Sequence, residues 1–403
     1  MPGVPVAPRI RRLTYVSAPR PPSAPAPLTP FPPDRRRAVF ALVGDVTGSS
    51  RALRQLRELA AMGIRVTVLQ TAPARDPAAL GPGAGLRVVP AGGSGPAAFW
   101  RAHRAVLAAA RATPAALYLA SDLYTLPALA RAAGEHGAAL VYDSRELYAA
   151  LDSSAGRPWV SAVWRAVERR HIGRADAVLT VGGAIADRLA ETYGVARPTV
   201  LYNAPEPVPD RDPAALAEAL GLPDDGRAVV LYQGLFRPGR GLPALVEAAR
   251  RVDGVRLVLI GEGALADGLR AAGADLGDRL VLHPFVPPDR LARLTPGADL
   301  GACLIEPLTE SLRLSLPNKL FEYLAAGVPV LASPLPEIRA VLGRGAGVLA
   351  DPSDPDAVAD ALRQSLAPGA RARWAHRTAE ALDPYTWTAG RAAFRALVAR
   401  LLP

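Results

Sequence analysis

What most constrains the fold of this chain is a pattern that runs twice. Short apolar runs of four to six residues alternate with longer amphipathic segments, the signature of βαβ units around a parallel sheet. The first series begins with Val39–Val43, a buried strand by its composition. A glycine- and serine-rich loop, Gly44–Ser50, follows, then a helix over Arg51–Met62 closed by Gly63, then a strand at Ile64–Leu69. Further strands are expected at Ala116–Ala120, Ala139–Tyr142, Ala177–Val181 and Thr199–Tyr202. The proline- and acid-rich stretch Tyr202–Asp212 reads as a linker. The pattern then restarts at Ala228–Tyr232 and continues through Val255–Ile260, Leu280–His283, Leu300–Leu304, Pro329–Ala332 and Gly347–Leu349, with helices over Ala357–Leu366 and Thr388–Leu402. Two open α/β units in tandem fit this better than one large domain. The chain divides as 1–37, 38–205, 206–375 and 376–403. In such sheets ligands bind beyond the carboxyl ends of the strands, so chemistry is sought in the loops that follow strands.

Composition narrows the function. Half of the 403 residues are hydrophobic, enough for each half to bury a core and too many for a disordered chain. Cys303 is the only cysteine, which excludes an intramolecular disulfide and a thiolate metal cluster, and a reducing compartment, the cytoplasm, is expected. No uncharged apolar run of about 18 residues is present, so neither a membrane span nor an export signal is expected. The net charge of +10 is compatible with nucleic acid, an anionic membrane surface or an anionic small substrate. Residues 1–37 hold eleven prolines and seven arginines against one acid, Asp34, and read as a flexible basic tail in which Leu13–Val16 can add an edge strand. Zinc-ligand spacing, aromatic RNA-binding strands and a recognition helix are all missing, so nucleic acid is not the expected partner. The five histidines are scattered without metal spacing, and His283, at a strand end, is the one site candidate among them.

The chain has 46 arginines but a single lysine, Lys319, and only two asparagines, Asn203 and Asn318. A chain that has nearly dispensed with two residue types keeps them side by side in Pro317-Asn-Lys-Leu-Phe-Glu322. A short helix over Asn318–Ala326, delimited by proline and glycine, puts Lys319 and Glu322 on one face near its N-terminus. There the carboxylate can accept from ribose hydroxyls, and the ammonium can meet phosphate or sugar oxygens. The other reading of the pair is a plain salt bridge. Upstream, the loop Tyr232-Gln-Gly-Leu-Phe-Arg-Pro-Gly-Arg-Gly241 offers glycine amides, the start of a following helix, and Arg237 and Arg240 as phosphate donors. A diphosphate fits it, as does an ordinary strand-to-helix turn.

Together Tyr232–Gly241, Leu257–Gly263 (LVLIGEG), His283–Pro287 (HPFVP), Pro317–Pro329 (PNKLFEYLAAGVP) and Thr180–Asn203 resemble the retaining glycosyltransferases of family four. The resemblance runs from about Ala38 to the C-terminus. It implies the GT-B fold, two facing Rossmann-like domains with a C-terminal helix returning to the first, and transfer of a sugar from a nucleotide-diphosphate donor with no cofactor and no metal. By it, Glu322, Lys319 and Arg240 carry the catalysis, with Glu322 on the donor ribose and Arg240 on the diphosphate. Gly234, Arg237, Gly239, Gly261, Gly263 and Asn318 complete the donor site, and Val286 meets the nucleobase through its backbone. Gly44, Gly48, Asp122, Arg145 and Glu146 are expected on the acceptor side. The acceptor itself, lipid-linked or a small molecule, is not identified. Leu235 stands where an arginine is usual after the loop glycine, with Arg237 as its substitute, and three further positions depart from the family pattern: Leu314 stands where the first of two paired glutamates is usual, and Ser121 and Arg145 stand where histidine is common. They motivate an alternative in which the chain is an epimerase of the same fold or a catalytically silent partner subunit.

Overall fold

A computed structural model describes residues 36–89, 95–151, 157–343 and 345–402. The basic tail up to residue 35, with its expected edge strand, lies outside the described residues. The first sheet comprises β1 (Arg37–Leu42), β2 (Arg65–Gln70), β3 (Ala84–Val88), β4 (Leu117–Ala120), β5 (Ala139–Ser144), β6 (Ala177–Thr180) and β7 (Thr199–Val200), connected through helices α1 (Ser50–Ala61), α2 (Gly95–Arg111), α3 (Leu126–His136), α4 (Pro158–Ile172) and α5 (Gly183–Tyr193). The strands are parallel, in the order β3-β2-β1-β4-β5-β6-β7. After α6 (Ala215–Leu220), a second parallel sheet is built from β8 (Ala228–Gln233), β9 (Val255–Ile260), β10 (Leu280–His283), β11 (Leu300–Cys303), β12 (Val330–Ala332) and β13 (Gly347–Leu349), in the order β10-β9-β8-β11-β12-β13. Its helices are α7 (Leu242–Arg250), α8 (Ala266–Ala272), α9 (Pro288–Leu294), α10 (Glu310–Arg313), α11 (Asn318–Ala325), α12 (Pro336–Leu342), α13 (Pro355–Leu366) and α14 (Ala370–Leu382).

These orders fix where ligands can sit. Strand order reverses between β1 and β4 in the first sheet and between β8 and β11 in the second, and a crevice opens beyond the strand ends at each reversal. The first crevice is braced from within. Asp122, just after β4, accepts from the Val43 amide at the end of β1 (2.7 Å) and from the Thr125 amide (2.8 Å). Behind it Arg51 of α1 and Asp143 of β5 form a buried ion pair at 2.6 Å, and Gln55 adds a hydrogen bond to the same carboxylate at 2.8 Å.

The last helix, α15 (Trp387–Leu401), leaves the second sheet and packs Phe394, Leu397 and Val398 into the core of the first, among Phe40, Leu56, Leu59 and Leu117. Glu58 of α1 fixes it there, accepting from Trp387 Nε1 (3.4 Å) and Arg395 Nε (2.6 Å). The crossing point corrects the sequence boundary at 376. That position lies inside α14, whose Ala381 and Leu382 belong to the second core, so the chain changes lobe at Asp383–Trp387. Here Thr386 bridges Ala204 of the linker and the Thr388 amide donates to Glu206, bringing the two connections between the lobes side by side.

One strand escapes the sequence pattern and another is shorter than expected. β3 carries no apolar run: its residues Ala84-Gly-Leu-Arg-Val are partly or fully exposed at the sheet edge, where burial imposes no pattern. The strand expected over Thr199–Tyr202 shrinks to Thr199–Val200, because Leu201 and Tyr202 already turn toward the linker.

Candidate active site

A cleft of about 790 Å³ joins the two crevices. From the second lobe it is lined by the loop after β8 and by α11. From the first it is lined by Gly48, Ser49, Asp122, Tyr124, Arg145, Glu146 and Tyr148.

The β8 loop owes its path to a close approach of two glycines. The Gly234 amide donates to the Ile260 carbonyl (2.9 Å) and the Phe236 amide to the Glu262 carbonyl (2.8 Å), which laces the loop to the end of β9. A Cβ at Gly261, where φ is +153°, would lie 1.9 Å from the Gly234 carbonyl oxygen. Gly261 and Gly263 therefore shape the loop from behind and lie outside the cleft lining. Gly234 itself, at φ +130°, faces Lys319, whose Nζ would stand 3.4 Å from a Cβ placed there. Further along, Glu306 clamps the loop by accepting from the Gly241 amide at 2.9 Å, while its own amide donates to the carbonyl of buried Gly239 at 3.2 Å. Gly239 is thus a hinge of the loop outside the cleft lining, whereas Gly234, Arg237 and Arg240 line it.

Helix α11 presents Asn318, Lys319 and Glu322 to the same space. The Lys319 ammonium sits over the Tyr232 ring, 3.6 Å from its centroid. Its side chain is partly open to the cleft, yet protein encloses it closely. That burial pushes the ammonium down to about 7, with Arg240 and Arg237 adding to the effect and Cys303 and Glu322 opposing it. Burial raises the Glu322 carboxyl above the usual range, against a hydrogen bond from Gln233 and the charges of Lys319 and Arg54. Gln233, at the end of β8, is the residue sequence reasoning missed. Its Nε2 donates to Glu322 at 2.5 Å, its Oε1 accepts from the Thr295 hydroxyl at 3.1 Å, and its backbone amide donates to the Tyr323 hydroxyl at 3.1 Å. Thr295 and Tyr323 thus fix the glutamine whose amide holds the Glu322 carboxylate.

On the first lobe the Arg145 guanidinium reaches toward Asp122 (3.9 Å) and the Ser49 hydroxyl (3.5 Å), and its buried Nε has no hydrogen-bond partner. Burial alone lowers its pKa, but Tyr148, Asp122 and Asp143 together hold it above the ordinary value. Asp122 spends its oxygens on the brace described above, so it positions the crevice more than it faces a ligand. Exposed Glu146 lines the cleft. Gly48 lines it too, but Gly44 does not: its amide donates to the Thr71 hydroxyl at 2.9 Å. Val286 is buried and lies outside the lining, and His283 turns its Nδ1 to the carbonyl of Pro284 at 2.8 Å. Tyr124 and Tyr148, neither picked out from the sequence, form an aromatic wall with ring centroids 5.6 Å apart. Leu314 packs against the apolar cluster of the first lobe, which makes it a bridge between lobes, and the Ser121 hydroxyl is buried without a partner.

Residues 47–205 match a model described as a glycosyl transferase 4-like domain, and residues 227–367 match the model for glycosyl transferases group 1. The chain belongs to the group 1 glycosyltransferases. A relative named D-inositol 3-phosphate glycosyltransferase, from Acidothermus cellulolyticus, is 34% identical over 238 residues, which is 51% of this chain. The match spans about half of that relative's length, 50%. Among solved structures, sucrose-phosphate synthase from Thermosynechococcus elongatus superposes with a TM-score of 0.74 at 20% identity, over 91% of this chain and 99% of that one. Anabaena HepE in complex with UDP and glucose gives a TM-score of 0.71 at 17% identity, over 91% and 98%. The fold is GT-B, with α15 returning to the first lobe as the sequence resemblance implied.

Proposed function

We propose that the chain transfers a sugar from a nucleoside-diphosphate sugar to an acceptor held against the first lobe, with retention at the anomeric carbon and without a metal ion. The observation that carries this reading is the meeting of Lys319, Arg237 and Arg240 around the Gly234 loop, with Glu322 fixed by Gln233 beside them. Three cations and a loop of backbone amides suit a diphosphate, and a carboxylate held in one orientation suits the vicinal hydroxyls of a ribose. Solved structures of HepE hold UDP and UDP-glucose, which supports a nucleotide sugar as substrate.

The chemistry follows from where charge develops. As the anomeric carbon–oxygen bond breaks, negative charge grows on the leaving diphosphate. Lys319, Arg240 and the loop amides stabilise that charge more in the transition state than in the ground state. Of the second lobe's loop acids, Glu306 accepts from the Gly241 amide and Glu310 pairs with Arg188 of α5 at 2.6 Å, so neither is offered to a metal at the diphosphate. Arg145, Glu146, Tyr124 and Tyr148 are placed to orient the acceptor. With the basic tail of net charge +6 over residues 1–37, the acceptor is read as lipid-linked or as a small molecule met at the inner face of the cytoplasmic membrane. No helix among the described residues is long and apolar enough to cross a membrane.

The test is release of nucleoside diphosphate from a panel of nucleotide sugars in chelator. Turnover of one donor, lost in Glu322→Ala, is the expected result. Tight donor binding without turnover would favour the silent-subunit reading that Leu314 and Ser121 motivate, and donor epimerisation without release would favour the epimerase.

A further inference from the structure

Trp100, Trp159 and Val163 are exposed at 61%, 63% and 50%, among the largest apolar exposures in the described residues, and all three lie on α2 and α4 of the first lobe. The helical period explains how each is presented. On α4, positions 159, 163, 166 and 170 form one stripe, and all are exposed, while Trp164, Val167, Glu168 and Ile172 turn inward. On α2, positions 97, 100, 104, 108 and 111 form the matching exposed stripe. The two helices meet where Phe99 of α2 packs edge-on against Trp164 of α4, with centroids 5.0 Å apart.

Charge on this face has one sign. Helix α2 contains no acid, and the single acid of α4, Glu168, is buried, where it accepts from the hydroxyls of Tyr142 (2.6 Å) and Tyr193 (2.7 Å). The exposed charged residues of the two helices are arginines, among them Arg104, Arg165 and Arg170. On neighbouring α3, Glu135 is neutralised by Arg111 and Arg131. Tryptophan prefers the boundary between headgroups and acyl chains, and a stripe that joins tryptophan to arginine suits a helix lying in an anionic membrane surface.

We propose that the outward face of α2 and α4 is the docking surface for an anionic lipid bilayer. Its position gives docking a consequence. Trp164, beneath the face, packs on Tyr124 at 5.0 Å, and Tyr124 packs on Tyr148 at 5.6 Å, both tyrosines lining the cleft. One aromatic layer separates the docking surface from the acceptor wall, so docking brings the bilayer to the acceptor side of the cleft. The inference deepens the functional reading and rests on it only for what the docked protein does there.

The full-length protein is sedimented with phosphatidylglycerol vesicles and with phosphatidylcholine vesicles, beside the variants Trp100→Ala/Trp159→Ala and Arg165→Glu/Arg170→Glu. All four side chains are exposed, so the fold should survive, and nucleoside diphosphate affinity is measured in parallel. The expected result is pelleting with the anionic vesicles only, weakened by salt, and reduced at least tenfold in either double variant with nucleotide affinity unchanged. Wild-type protein left in the supernatant, or double variants that pellet like wild type, would overturn the proposal. So would self-association abolished by the tryptophan substitutions in the absence of vesicle binding, which would give the face to a second copy of the chain. Vesicle binding that depends on the face, in a protein with no nucleotide affinity, would leave the docking surface standing and sink the transferase reading.

Discussion

Gln233 and Glu322, 89 residues apart in the chain, meet through a 2.5 Å hydrogen bond that ties the end of β8 to α11. Burial raises the carboxyl's pKa, and the amide's hydrogen bond opposes that rise by favouring the charged form. Gln233→Leu should leave Glu322 unpartnered in a partly buried site and weaken nucleotide affinity by about tenfold, which is about 1.4 kcal/mol. Titration calorimetry with nucleoside diphosphates measures this. Unchanged affinity would mean that Glu322 finds its orientation without the glutamine.

Lys319 should make nucleotide binding depend on pH. Its ammonium, lowered to about 7 by burial and nearby arginines, is only partly charged near neutrality, and an incoming diphosphate favours the charged form. Binding between pH 7 and 8 should therefore take up a proton, and affinity should fall as pH rises through this range. Calorimetry in buffers of different ionisation enthalpy reads the uptake, which should be absent in Lys319→Met. The same lysine has a sign in stability. Its folded value lies below its unfolded one, so the unfolded chain binds more protons between pH 7 and about 10, and the lysine's contribution to stability improves as pH rises through that window.

Transfer should proceed in chelator, because Glu306 and Glu310 are already engaged with Gly241 and Arg188. Full loss of activity in chelator, restored by magnesium or manganese, would contradict this and would require another way to neutralise the leaving group.

The buried pair Arg51–Asp143 holds α1 against the first crevice. Arg51→Met should cost about 3–5 kcal/mol of stability by stranding a buried carboxylate. Adding Asp143→Asn should recover part of it. Thermal or denaturant unfolding of the three proteins checks this, and a single variant as stable as wild type would show that the pair is dispensable.

How much of this was legible in the sequence depends on the range of the interactions involved. Helix α11 could be read because its signals are local: a proline before it, a glycine after it, and the chain's only lysine within it. The strands with apolar runs could be read for the same reason, and β3 could not, because an exposed edge strand needs no such run. The role of Gln233 was hidden, since it exists only once β8 and α11 are side by side. Gly261 and Gly263 were visible as special positions, but the sequence pointed them at the ligand, whereas what they admit is the backbone of the neighbouring loop. Tyr124 and Tyr148 look like ordinary core aromatics until the loops after β4 and β5 bring them to one wall.

We propose that Lys319 and Glu322 hold a nucleoside diphosphate sugar. It is tested most directly by measuring nucleotide-sugar turnover and nucleoside diphosphate affinity in wild type, Lys319→Ala and Glu322→Ala, with unfolding curves as the control for fold. The expected result is at least a tenfold loss in each variant with the fold intact. Wild-type turnover and affinity in both variants would contradict it.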